Sequence, residues 1–152
     1  MKISLIVIGK IKKGIFQDLF QLYERRLRFA LTLKEIEVRE ALSDVMRIQT
    51  EGAQILKLIS PESYVIALDE KGNQLTSQGF AEFYAGLQTK SLKEVVFVIG
   101  GAFGLSEAVR TRANTSLAFG AMTWPHLMVR SLLVEQLYRA QQILAGHPYH
   151  KD

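Results

Sequence analysis

The residues of this chain whose types and spacing could do chemistry gather in its last third. The apolar run Phe97-Val98-Ile99 leads into Gly100-Gly101-Ala102-Phe103-Gly104, and Phe119-Gly120-Ala121-Met122-Thr123-Trp124 leads into Pro125-His126. Glu135 and Arg139 stand four positions apart, and Pro148-Tyr149-His150-Lys151 lies near the end. Glycines directly after a strand let a ligand approach the backbone, and the unpaired amides that open the next helix are ready donors. A second strand-to-helix loop, 119–124, can face the same crevice, because ligands of open α/β sheets lie at the carboxyl ends of parallel strands. Leu68-Asp69, ending a third strand, supplies a wall. Together these loops describe a pocket of adenosine size, and so a cofactor-using enzyme. Each residue also has an ordinary reading. The glycines make a tight turn that binds nothing, Trp124 is a core side chain, His126 is a helix-start residue with a satisfied ring, and Arg130 and Arg139 pair with Glu135 in solvent. Position beside the crevice is what raises Arg130 and Arg139 above that.

Two nucleotide-binding signatures are missing. A dinucleotide fingerprint wants glycine where Ile99 stands and an acid where Gly120 falls, and no glycine turn is followed by the Gly-Lys-Ser/Thr of a P-loop. Cysteine is absent, which removes disulfides, thiolate nucleophiles and cysteine-based zinc sites. The three histidines, His126, His147 and His150, have no paired helical spacing, so no metal is expected. Lys plus Arg outnumber Asp plus Glu by 19 to 15, and the net charge of +4 fits a polyanionic partner without requiring one. No membrane segment or secretory leader is expected, since the apolar start Ile3–Ile8 is soon interrupted by Lys10, Lys12 and Lys13. The expected address is the cytoplasm, and 152 residues make a single domain, 1–152.

The elements that must position these residues alternate. Ile3–Ile8 closed by Gly9 reads as a strand buried on both faces, and Ile15, Phe16, Leu19, Phe20, Tyr23 and Leu27 trace an amphipathic helix. Leu31–Arg39 alternates as an exposed strand near an edge, and a helix capped by Ser43 runs toward Pro61. Tyr64–Asp69 is a buried strand, Glu70-Lys71-Gly72-Asn73 reads as a turn, and Thr76 or Ser77 caps a third helix. Val95–Ile99 is a strand, Ser106 opens a short helix, Leu117–Phe119 makes a short strand, and Pro125–Leu144 is a long helix with proline in its first turn. The order predicts an α/β fold, a mainly parallel sheet with helices on both faces. The last helix carries Leu127, Met128, Val129, Leu132, Leu133, Val134 and Leu137, too much apolar circumference for one sheet, so a second copy of the chain is expected to cover it. The tail would ordinarily fray. Its Tyr, His and Lys nonetheless offer stacking, proton transfer and phosphate contact to an RNA.

These residues carry a resemblance over the whole chain. Val7-Ile8-Gly9-Lys10, Phe97-Val98-Ile99-Gly100-Gly101 with Gly104-Leu105, Met122-Thr123 with Pro125-His126, Glu135-Gln136-Leu137-Tyr138-Arg139-Ala140 and Tyr149-His150 resemble the RlmH (YbeA-like) group of SPOUT methyltransferases, which modify large-subunit ribosomal RNA. The resemblance implies a SPOUT-type fold with a C-terminal trefoil knot, an obligate homodimer, S-adenosylmethionine as methyl donor, and N3 of a pseudouridine in helix 69 of 23S rRNA as acceptor, on the large subunit or the whole ribosome. It places the cofactor against Leu68, Gly100, Gly101, Phe119, Gly120, Ala121, Met122, Thr123 and Trp124. It puts substrate contact on Tyr149 and His150; Arg130, by its position beside the crevice, joins them as a catalytic candidate, and loss of the acceptor's proton makes His150 the first candidate base and His126 the second. Lys151 stands where many relatives carry Arg, Gly120-Ala121 replaces a Ser-Lys or similar pair, and Trp124 replaces a smaller apolar residue. The rival expectation is a non-catalytic RNA- or ribosome-binding protein that keeps the fold; a nucleotide-dependent oxidoreductase is disfavoured by Ile99 and Gly120.

Overall fold

The computed structural model describes residues 1–151. Five strands form one sheet: β1 (Lys2–Ile8), β2 (Leu31–Ile36), β3 (Tyr64–Gln74), β4 (Glu94–Ile99) and β5 (Thr115–Ala118). Their order is β2-β1-β4-β3-β5, and every pairing is parallel. The five helices are α1 (Ile15–Glu24), α2 (Asp44–Lys57), α3 (Ser77–Thr89), α4 (Glu107–Arg112) and α5 (His126–Leu144). The expected alternation, the edge position of β2 and helices on both faces are all present.

The central strands are apolar on both sides because both sides are covered. Leu5 and Val7 face a core shared with Phe20 of α1, Phe80 and Tyr84 of α3, and Leu133, Val134 and Leu137 of α5. Ile6 and Ile8 face the other way, against Ile55 of α2 and Val109 of α4. Each fully buried Leu, Ile or Val side chain contributes about 1.5–3 kcal/mol by leaving water. Three helices begin on hydroxyl caps: Ser43 accepts from the Met46 amide, Thr76 from Gly79 and Ser106 from Val109. The cap of α3 is therefore Thr76 and not Ser77. Pro125 stands at the N-cap of α5, one residue before the first helical turn.

Two expectations are corrected here. Glu70–Asn73 is not a turn after β3. The strand continues to Gln74, and Leu117 of β5 pairs first with Leu68 and again with Asn73, so the residues between them arch out as a bulge. Gly72 permits the arch, since a Cβ there would lie 2.6 Å from the Leu117 backbone. The apolar surplus of α5 is also met largely within the chain, because α5 packs against both α1 and α3. Leu127, Met128, Val129 and Leu132 stay half-buried and, with the exposed Ile15, Leu19 and Leu22 of α1, leave apolar surface for a second copy.

Arg130 corrects a third. It does not pair with Glu135 in solvent; its side chain is 0% exposed and binds Glu35 Oε1 at 2.8 Å, the Ile8 carbonyl at 3.1 Å and the Gly9 carbonyl at 2.6 Å. Burial pulls the guanidinium pKa down and the Glu35 hydrogen bond and charge oppose that. The same Glu35 oxygen accepts from the Ile11 amide at 2.8 Å. One ion pair thus ties β2, the exit of β1 and the first turns of α5. Removing one partner of such a pair strands the other charge, at a cost of about 3–5 kcal/mol, whereas removing both costs less. Urea unfolding of Arg130→Leu, Glu35→Leu and the double variant should show the double less destabilised than the sum by about 1–3 kcal/mol; additive effects would deny the pairing.

Candidate active site

Because all five strands run the same way, the loops after β1, β3, β4 and β5 emerge on one edge of the sheet. Three of them enclose a crevice of about 670 Å³, within the usual range for a small-molecule site. Leu68, Asp69, Glu70 and Lys71 come from the β3 bulge, Ile99 to Leu105 from the β4–α4 turn, and Leu117 to Gly120 with Met122 to His126 from the approach to α5. Of the cofactor residues read from the sequence, Leu68, Gly100, Gly101, Phe119, Gly120, Met122, Thr123 and Trp124 line it. Ala121 does not; it is exposed beside the crevice.

The glycine turn owes its shape to missing side chains. A Cβ on Gly100 would lie 2.8 Å from the carbonyl carbon and oxygen of Gly104, and Gly101 bridges to Gly104, whose amide donates to the Gly101 carbonyl at 3.1 Å. Gly104 has φ +83, a conformation that suits glycine. Behind the turn, Glu51 of α2 is 5% exposed, and its carboxylate oxygens lie 3.3 Å from where a Gly101 Cβ would be. Burial pushes its carboxyl above the ordinary value, against the opposing charge of Arg47.

Polar groups on the rim are partnered across loops. Asp69 binds the Arg110 Nε at 2.7 Å and accepts from the Lys71 amide at 2.9 Å. Burial pushes the Asp69 carboxyl up, but these hydrogen bonds and charges outweigh it and hold the group below its ordinary value. The Thr123 hydroxyl donates to Glu70 at 2.6 Å, and the Trp124 indole donates to the Phe119 carbonyl at 3.0 Å, which fixes its ring in the wall. Trp124 is therefore a half-open lining residue and not core. Asp69 lines the crevice as the wall expected of Leu68-Asp69, whereas Glu70, Arg110, Leu105 and Val129 belong to this lining without a sequence expectation. The signal for Asp69 is its place as the last residue of an apolar strand.

His126, in the lining, places Nε2 about 3.5 Å from where a Cβ on Gly9 would stand. Burial first, then the Arg130 charge, lowers its pKa. The tail lies elsewhere. Tyr149 and His150 are half-buried against α5, not frayed: the Tyr149 hydroxyl donates to Glu135 at 3.1 Å, its ring sits 4.8 Å from that of Tyr138, and Arg139 stacks 4.8 Å over it. Arg139 binds Glu135 at 2.6 Å, as its spacing predicts, and lies 3.1 Å from His150 Nδ1. Burial and the Glu135 carboxylate raise the Tyr149 pKa. Nine residues of helix, about 14 Å of rise, separate Glu135 from His126. Within one chain, then, the structure brings the residues expected to bind a cofactor together, Ala121 excepted, and docks the tail against Glu135 and Arg139 instead.

An all-parallel α/β sheet with a Cβ-free turn and a converging second loop defines a domain built to hold a small molecule at its carboxyl edge. Residues 1–150 match the family model described as "Predicted SPOUT methyltransferase", and the chain belongs to the SPOUT methyltransferase family. It is 46% identical over 151 residues to "Ribosomal RNA large subunit methyltransferase H" of Rhodospirillum centenum, and 44% identical over 151 residues to the protein of that name from Paramagnetospirillum magneticum, in both cases over 99% of either chain. Its fold is similar to that of a solved probable methylase family protein from Haemophilus influenzae Rd KW20, with a TM-score of 0.57 at 16% identity, covering 99% of this chain and 70% of that one.

Two outcomes are expected of the site. Gly100→Ala forces its Cβ into the Gly104 backbone, so it should cost about 1–3 kcal/mol of stability and lower donor affinity by at least tenfold; unchanged donor affinity by calorimetry would show that the turn is not part of the site. His126, with its pKa lowered, should titrate below 6.5 in NMR and be neutral at pH 7. The stability it contributes is then full above the unfolded value and is lost as pH falls through 6.5 toward the folded value. Titration at or above 6.5 would contradict this.

Proposed function

We propose that this chain is an S-adenosylmethionine-dependent ribosomal RNA methyltransferase that works as a cytoplasmic homodimer, closed by a trefoil knot at its C-terminal side. The observation that carries the reading is the convergence of three loops on one crevice whose glycine turn leaves no room for a Cβ. The lining fits the donor: apolar walls from Leu68, Ile99 and Leu117 suit an adenosine, exposed loop backbone suits its edge, and Glu70, bound to a neutral Thr123 hydroxyl, suits a cationic sulfonium. Bound there, S-adenosylmethionine supplies an electrophilic methyl group. The acceptor we propose is N3 of a pseudouridine in helix 69 of 23S rRNA, reached on the large subunit or the whole ribosome. The similarity to large-subunit methyltransferases supports that choice.

The work of the chain is mainly positioning, since alignment of reactants supplies several kcal/mol of the barrier. The acceptor nitrogen must lose its proton, for which His150 is the first candidate base and His126, favoured in its neutral form, the second. Arg130 positions rather than reacts, because its buried guanidinium holds the exit of β1. The docking of the tail against Glu135 and Arg139, away from the crevice lining, supports a composite site in which Tyr149, His150 and Lys151 of one subunit meet the crevice of the other. The half-buried Leu127, Met128 and Leu132 of α5, with Ile15, Leu19 and Leu22 of α1, supply apolar surface for that pairing. Among the described residues no helix is long and apolar enough to cross a membrane, and no group of three or more His, Asp or Glu is placed to hold a metal.

Incubation with ribosomes lacking the modification and labelled donor, followed by mass-spectrometric mapping, should place one methyl on N3 of a helix 69 pseudouridine. Dimers that mix a tail-truncated subunit with a Gly100→Arg subunit should keep about half the activity. Donor and RNA binding with no transfer would leave a non-catalytic ribosome-binding protein, and loss in every mixed dimer would exclude sharing.

A further inference from the structure

The loop between β1 and α1 is left unused by the site described above. Lys10, Lys12 and Lys13 are all exposed on it, and none closes an ion pair among the described residues. Three cations at a loop tip are usually solvated and mobile. Here the backbone beneath them is pinned. The Gly9 carbonyl accepts from buried Arg130 at 2.6 Å, and the Ile11 amide donates to Glu35 at 2.8 Å, so the peptides flanking Lys10 are both held by one buried ion pair. The loop also adjoins the crevice, because a Cβ on Gly9 would lie 3.5 Å from Nε2 of His126, a lining residue.

The charge around the loop is one-sided. Glu37, after β2, faces it, and Arg39 already binds that carboxylate at 3.1 Å. The Arg39 hydrogen bond and charge, joined by the charges of Lys10 and Lys12, lower the Glu37 pKa. Asp18 stands in the first turn of α1, and Glu35, beneath the loop, is neutralised by Arg130. With the Arg130–Glu35 pair set aside as mutually neutral, Lys10, Lys12, Lys13 and Arg39 stand against Glu37 and Asp18, beside the crevice. Concentrating like charges on a fixed loop costs electrostatic energy, which a polyanion recovers by releasing its counterions.

We propose that Lys10, Lys12 and Lys13 form a rigid phosphate-docking rim that grips the RNA backbone beside the nucleotide entering the crevice, and that the Arg130–Glu35 pair is its anchor. This rests on the reading of the chain as an RNA methyltransferase. The rim carries affinity and not base identity, since phosphate contacts fix register and base contacts carry sequence. The buried Arg130 thereby acquires a role in binding, because holding the peptides on both sides of Lys10 fixes the start of the loop, with less ordering entropy lost when RNA docks.

The test uses the full-length protein and a fluorescein-labelled stem-loop transcript of large-subunit RNA, with anisotropy read over a range of salt. The triple variant Lys10→Gln, Lys12→Gln, Lys13→Gln should weaken binding on the order of tenfold to a hundredfold and reduce the slope of log K against log salt by about 2–3, since each phosphate contact contributes about 0.7–0.9. A charge-matched control, Lys57→Gln, Lys90→Gln, Lys93→Gln, alters residues that precede β3 and β4 at the opposite edge of the sheet and should change neither by more than about twofold. The triple Lys→Arg variant should keep the wild-type slope. S-adenosylhomocysteine titrated against the single tryptophan, Trp124 in the crevice wall, should give the same dissociation constant in all variants. Equal affinity and slope in the Gln triple and the control, loss in the Arg triple, or loss of the Trp124 response with the Gln triple would each overturn the rim. A wild type that binds RNA through these lysines yet transfers no methyl would break the enzymatic reading and leave the rim standing.

Discussion

The approach of Gly100 to the Gly104 peptide, too close for any Cβ, is the constraint on which the crevice depends. It folds the end of β4 back on itself before α4 begins, which opens backbone to a ligand where a side chain would otherwise stand. A second close approach, Gly72 against Leu117, arches β3 so that Asp69, Glu70 and Lys71 lean over the same space. Neither contact is strong. Each works by exclusion, since the surrounding sheet is packed on both faces and cannot shift to admit extra volume.

A buried guanidinium anchors the other side of the site. Arg130 joins β1, β2 and α5 through one carboxylate and two backbone carbonyls. Such ion pairs seldom add stability over an apolar replacement, so this one is best understood through what it fixes in place. What it fixes is the exit of β1, with His126 on the crevice side and the lysine loop on the solvent side. The crevice wall and the lysine loop are therefore held by the same anchor.

Much of this was legible in the sequence, for identifiable reasons. β-branched runs closed by glycine mark strands buried on both faces, which is why β1 and β4 stand where the pattern places them, and hydroxyl caps mark the starts of α2, α3 and α4. The two crevice loops were legible because small residues after a strand have few other uses. Glu70-Lys71-Gly72-Asn73 has the composition of a turn, but pairing with β5 keeps it in the strand; local preference yields there to a long-range ladder. Arg130 was misplaced by attention to charge. It stands three, four and seven positions before the buried Leu133, Val134 and Leu137, a periodicity that already puts it on the core face. Its partner Glu35 had no such signal, being one polar position among several on an edge strand. The docking of the tail could not be read either, because it depends on Tyr138 and Tyr149 meeting across a chain reversal at Gly146.

Where the methyl donor sits decides whether the crevice is the site. A crystal structure with S-adenosylhomocysteine, the demethylated product, tests this most directly. The adenosine is expected between Leu68, the Gly100 turn and the 119–124 loop, with its sulfur open toward the His126 side of the crevice. A ligand seated elsewhere, or a crevice left empty at saturating product, would contradict that placement.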